Sequence, residues 1–100
     1  MVSLSVYVHM KAKPGKEQEV EDFLKSGLAI VEKEPGTIAW FAIKEGPGTY
    51  GIFDVFENEA GREAHLTGQV AKALFAKAPA LFLEEPSVNK PGVLAAKLPK

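Results

Sequence analysis

From Tyr50 to Glu57 the sequence reads Tyr-Gly-Ile-Phe-Asp-Val-Phe-Glu, and a strand built from it is apolar on both faces. Side chains alternate along a strand, so Tyr50, Ile52, Asp54 and Phe56 share one face, and Gly51, Phe53, Val55 and Glu57 the other. Large apolar groups on both sides place such a strand inside a sheet, covered above and below. The chain then turns straight into a helix. Asn58 suits the N-cap, and Glu59 sets negative charge at the positive end of the helix dipole. Asp54 is the one charge enclosed by the apolar run, and His65 follows about two turns into the helix.

The rest of the chain supplies partners for this strand. Val2 to Lys11 alternates, with Val2, Leu4, Val6, Val8 and Met10 against Ser3, Ser5, Tyr7, His9 and Lys11, which predicts a strand. Lys16 to Glu34 predicts a helix with Val20, Leu24, Gly27/Leu28 and Val31 on its inner stripe, stopped by Pro35-Gly36. Thr37 to Lys44 is a second strand with two apolar faces. The glycine-rich turn Glu45 to Thr49 joins it to the central strand as an antiparallel hairpin. The second helix has an arc of Ala60, Ala64, Ala71, Leu74, Phe75 and Ala78, with a kink or break expected at Gly68; its regular part ends at Pro79, with one more turn open to Ala80 to Phe82. Glu84 to Pro91 reads as a loop, and Val93 to Leu98 as the last strand.

The order β-α-β-β-α-β is the ferredoxin-like arrangement, an α+β fold with an antiparallel sheet and both helices on one face, over a single domain of residues 1–100. Two helices cover one face only. The other face then carries exposed aromatic groups, which predicts a homodimer pairing two sheets face to face.

Composition narrows the function. Net charge is −1, so no cationic surplus exists for nucleic acid. There is no cysteine, which excludes disulfides, thiolate nucleophiles and Cys-based metal sites. No basic, apolar leader opens the chain and no apolar run approaches the ~20 residues of a membrane span, so the expected setting is the cytoplasm, away from membranes. No phosphate-binding glycine loop, dinucleotide fingerprint or Ser-His-Asp spacing is present.

Ala12-Lys13-Pro14-Gly15-Lys16, Glu34-Pro35-Gly36-Thr37, Phe53-Asp54-Val55-Phe56-Glu57-Asn58-Glu59, Ala64-His65-Leu66 and the terminal Leu94 to Leu98 together resemble the antibiotic biosynthesis monooxygenase family. The resemblance implies a dimeric α/β barrel. Some members oxidise phenolic polycycles or quinols with molecular oxygen and no cofactor, and relatives cleave haem. Phe56 stands where the haem-cleaving relatives carry a tryptophan, strand one has no asparagine, and residues 71–78 have no histidine, so haem cleavage is disfavoured.

Cofactor-free oxygenation needs an apolar pocket, a group that takes a proton and a donor for the resulting oxyanion. The candidates for proton chemistry are His65, which matches the family's Ala-His-Leu segment, His9 and Asp54. Those for binding a small aromatic substrate are Tyr7, Trp40, Phe53 and Phe56. Gly61 and Gly68 flank His65 on the helix surface and leave room for a ligand or a close backbone. Each candidate has a structural reading beside it. His65 then sits solvated on the helix flank and His9 in a rim hydrogen bond. Asp54 pairs with Lys11, Lys97 or Tyr7, and the aromatics fill core or interface. Strand one adjoins strand three, so His9 is expected to approach Asp54. The competing function is a non-enzymatic homodimer that binds a small apolar ligand.

Overall fold

The computed structural model describes residues 1–99 as β1 (Leu4–Lys11), α1 (Glu17–Val31), β2 (Ala39–Gly46), β3 (Thr49–Phe56), α2 (Glu59–Leu66), α3 (Gln69–Leu81) and β4 (Ser87–Asn89). The strands form one antiparallel sheet in the order β2-β3-β1-β4, with β3 inside it. This is the ferredoxin-like topology, with the second helix in two pieces.

The two periodicities meet on one side of the sheet. Val6, Val8 and Met10 of β1 and Tyr50, Ile52 and Phe56 of β3 pack with Val20, Leu24, Leu74, Ala78 and Leu81 of the helices. Phe56 and Phe82 are fully enclosed, and each such side chain contributes about 1.5–3 kcal/mol relative to exposure. Tyr50 reaches out of this core to donate to Glu21 Oε2 at 2.6 Å, tying β3 to α1.

Several boundaries differ from the expectation. The helix runs through Pro79 without a break and takes the further turn as far as Leu81. Proline costs the helix one donor; the neighbouring Pro79 carbonyl is bound by Lys13 Nζ at 2.6 Å. Ala60 and Ala64 lie outside rather than inward, because the break at Thr67-Gly68 lets α2 take its own phase. The last strand lies at Ser87–Asn89, in the stretch expected to be a loop, and Val93 to Leu98 forms no strand. Pro91, with no N–H to give, joins β1 only through its carbonyl, and Val93 adds one bond to Ser3 O.

The opposite face of the sheet has no helix. Phe41 and Ile43 are 54% and 42% exposed there. No helix among the described residues is long and apolar enough to cross a membrane.

Candidate active site

His65 is buried, 6% exposed, at the centre of the inner face of α2. Asn58 starts that helix by accepting from Gly61 N at 2.9 Å. Gly61 has a second task. A Cβ placed on it would stand 2.9 Å from the Gly36 carbonyl oxygen, and one on Gly36 would stand 2.9 Å from Gly61 Cα. The loop after α1 therefore lies directly on α2, backbone against backbone. Gly68 gives the same freedom lower down, where a Cβ would meet Glu34 Oε2 at 3.2 Å. The room beside His65 is filled by close backbone, and its effect is to deliver Glu34 to the imidazole.

Gly61→Ala should accordingly destabilise the fold by about 1–3 kcal/mol through overpacking, against the ~1 kcal/mol gained in helix propensity. Equilibrium denaturation measures the balance; a more stable variant would mean that the loop does not rest on the helix.

Glu34 Oε1 lies 2.7 Å from His65 Nδ1 and accepts from Thr37 Oγ1 at 2.8 Å. On the other side of the ring, His65 Nε2 is 2.9 Å from Asp54 Oδ2. That contact is close but not aimed as a hydrogen bond, so neither Asp54 oxygen has a protein donor. Asp54 is 0% exposed. As the imidazolium, the ring hydrogen-bonds Glu34 and offers Asp54 its charge at close range, leaving the Asp54 lone pairs without a donor. Its other neighbour is the Phe56 ring, 5.4 Å away between centroids.

Burial alone would lower the His65 pKa, but the Asp54 and Glu34 carboxylates outweigh it and hold the ring above its ordinary value. Burial raises the Asp54 carboxyl, more than the imidazole lowers it. Both shifts are upward, so the folded chain binds each proton more tightly than the unfolded chain. The stability due to His65 is full below its unfolded pKa of 6.5 and drains as pH rises through the raised value. As pH rises above 6.5 the unfolding free energy should fall; a flat or rising profile in denaturant titrations would contradict the shift.

Beside this triad, Trp40 is the direct cross-strand partner of Asp54. Its ring lies under Gly27 of α1, where a Cβ would be 3.4 Å away, and its Nε1 is buried with no acceptor. Trp40 and Ile52 floor a slot between α1 and α3, walled by Phe23, Leu24, Gly27, Ile30 and Val70. The slot has about 270 Å³ of space including its open mouth, but only about 10 Å³ deep inside, the room of one water.

The other candidates lie elsewhere. His9 pairs with Gly51 and shares the open face with Tyr7, whereas Asp54 faces the helices. His9 and Asp54 therefore do not meet, because residues 9 and 54 fall on opposite sides of the pleat. His9 Nδ1 instead lies 3.0 Å from Glu45 Oε1, and Tyr7 donates to the same carboxylate. The Glu45 acceptor, with burial, pushes the Tyr7 phenol up to about 12. A bulge between Lys44 and Gly46 sets Glu45 out of the ladder, and Gly51 makes room beneath, where a Cβ would stand 3.0 Å from Glu45 Oε1. Phe53 is on this face too, and Phe56 is sealed in the core. The four aromatic candidates thus divide, with only Trp40 on the slot. Asp54 pairs with His65 rather than with Lys11, Lys97 or Tyr7.

Glu34 was not among the candidates. Its signal was the segment Glu34-Pro35-Gly36-Thr37 together with the two glycines on α2, a pattern of loop and helix that can touch.

The whole chain can be set beside solved structures. A protein of unknown function from Nitrosomonas europaea shares 51% identity over 100% of this chain and 97% of its own, with a TM-score of 0.97. A proposed antibiotic biosynthesis monooxygenase from Caulobacter crescentus has a TM-score of 0.78 at 20% identity, covering 94% of this chain and 92% of its own. A conserved protein from Methanosarcina mazei has a TM-score of 0.79 at 23% identity, covering 90% and 91%. At that identity the last two show the fold alone. No curated protein matches. The profile of the antibiotic biosynthesis monooxygenase family matches residues 3–77, spanning β1 to β3, the triad and the slot, and the chain belongs to that family.

Proposed function

We propose that this protein is a cofactor-independent monooxygenase that oxidises a small phenol or quinol with molecular oxygen. The observation that carries the reading is Asp54: a fully buried carboxylate with free lone pairs, backed by His65, beside an apolar slot. Triplet oxygen reacts slowly with closed-shell organics, but a phenolate can give it one electron. Asp54, lifted above the ordinary carboxylate range, takes the phenolic proton, and the His65 imidazolium steadies the charge around it. For a phenol, the phenolate and oxygen then join at its free para carbon. One oxygen atom stays as the second quinone oxygen and the other leaves as water, with the substrate supplying all four electrons.

The small inner volume of the slot favours the second reading, a non-enzymatic protein of the same fold in which the triad serves stability. Oxygen uptake by chelator-treated protein against anthrones, quinols and catechols separates the two. Uptake proportional to protein concentration supports the enzyme; no uptake across the panel from folded protein leaves the non-enzymatic reading.

The same proposal includes a homodimer closed over the open sheet face, where Phe41, Ile43 and Phe53 sit around the Tyr7–His9–Glu45 group. Sedimentation at micromolar concentration should show two chains, and Phe41→Glu should shift the protein to a monomer. A wild-type monomer would sink the dimer without touching the chemistry.

A further inference from the structure

Two buried polar groups on the slot side lack a protein partner, and they complement each other. Trp40 Nε1 is a donor without an acceptor, and the Asp54 oxygens are acceptors without a donor. The two residues stand directly opposite across β2 and β3 and on the same face, where facing Cβ atoms are about 4.5–5.5 Å apart. Each group left unmet in an apolar setting is costly. They do not bond to each other, because the indole swings away beneath Gly27 while the carboxylate turns to His65.

We infer that Trp40 Nε1–H and the Asp54 carboxylate together hold one hydroxyl group of the bound ligand. That hydroxyl accepts from the indole and donates to the carboxylate. A phenol meets both demands with a single oxygen, and its ring continues into the slot against Ile52, Leu24 and Val70. An ether or ketone oxygen accepts from the indole but leaves Asp54 unmet, and a hydrocarbon serves neither. The pair therefore selects a hydroxylated aromatic over its methyl ether. With about 10 Å³ inside the slot, the ring enters only as α1 and α3 part. This assignment rests on the slot being the substrate site but not on any reaction with oxygen.

The test is a binding measurement under nitrogen, where no turnover occurs. The chain has a single tryptophan, so a ¹⁵N-labelled sample gives one indole N–H cross-peak, and that peak is Trp40. Phenol, anisole and toluene are titrated in turn. Phenol should move the indole peak downfield in the proton dimension and bind at least about tenfold more tightly than anisole, the scale of one hydrogen bond to a charged group. Trp40→Phe, read by calorimetry, changes the slot for every ligand and should lower the preference for phenol over toluene several-fold. Equal binding of phenol and anisole, phenol binding that leaves the indole peak in place, or no phenol binding at all would each overturn the assignment. Oxygen uptake with an unmoved indole peak would overturn it while leaving the monooxygenase reading intact. A moved peak without uptake would uphold the hydroxyl site in a ligand-binding protein.

Discussion

His65→Leu is expected to cost about 3–5 kcal/mol of folding stability at neutral pH, the range for breaking a buried ion pair from one side. The loss is large because two carboxylates depend on one ring. Asp54 is fully enclosed, with its Oδ2 2.9 Å from Nε2, and Glu34 holds Nδ1 at 2.7 Å. Leucine fills the volume but leaves both charges without a cation. Adding Asp54→Leu should recover much of the loss, since a buried pair replaced by apolar groups is often neutral in stability. The single variant should also suffer less in acid, where the raised Asp54 carboxyl becomes neutral. Urea denaturation of both variants at two pH values measures all of this. A single variant within ~0.5 kcal/mol of wild type would mean that the triad is not an ion-paired unit.

Asp54→Asn is expected to lower the oxygen-uptake rate by about 10²–10⁴, the usual contribution of a positioned acid–base group. Asparagine keeps the shape and an acceptor oxygen for the ligand hydroxyl but cannot take its proton. Binding should therefore survive while kcat falls. His65 retains Glu34, so the fold should hold. His9→Asn, on the far face of the sheet, should leave kcat unchanged. A His9 effect equal to that of Asp54 would place the chemistry on the open face instead.

The fold was legible because hydrophobic period speaks for itself in a chain of this length. The alternation in β1, the two-faced apolar run of β3 and the stripe Val20, Leu24, Gly27, Val31 each name their own element. The errors came where a local rule met a tertiary one. Pro79 marks the end of the regular helical pattern, yet the helix continues to Leu81 because one lost bond is small against the burial of Ala78 and Leu81 on the same turn. Hydropathy points to Val93 to Leu98 for the last strand, whereas pairing with β1 selects Ser87–Asn89, whose three residues are all exposed.

The candidate site was legible in its residue types and not in its geometry. Asp54 was identifiable as a charge that needs a partner, and His65 as a histidine flanked by glycines. Their union depended on the phase of a short helix, and the break at Gly68 set that phase independently of α3. Reading one continuous arc through Ala64, Leu74 and Ala78 turned His65 outward. Placing His9 near Asp54 used the right neighbouring strands but ignored the pleat, on which residues 9 and 54 look in opposite directions. Glu34 reaches the ring through two close backbone contacts, which no spacing along the chain expresses.

The most direct test of the triad is the ring ¹⁵N spectrum of His65 followed from pH 5 to 9. Held between Asp54 and Glu34, the ring should remain an imidazolium, with both nitrogens protonated, well above the ordinary histidine value of about 6.5. Its signals should vanish in His65→Asn and persist in His9→Asn. A ring that is neutral at pH 6, or that titrates as a solvated histidine does, would contradict the buried carboxylate–imidazolium–carboxylate site on which the proposed chemistry depends.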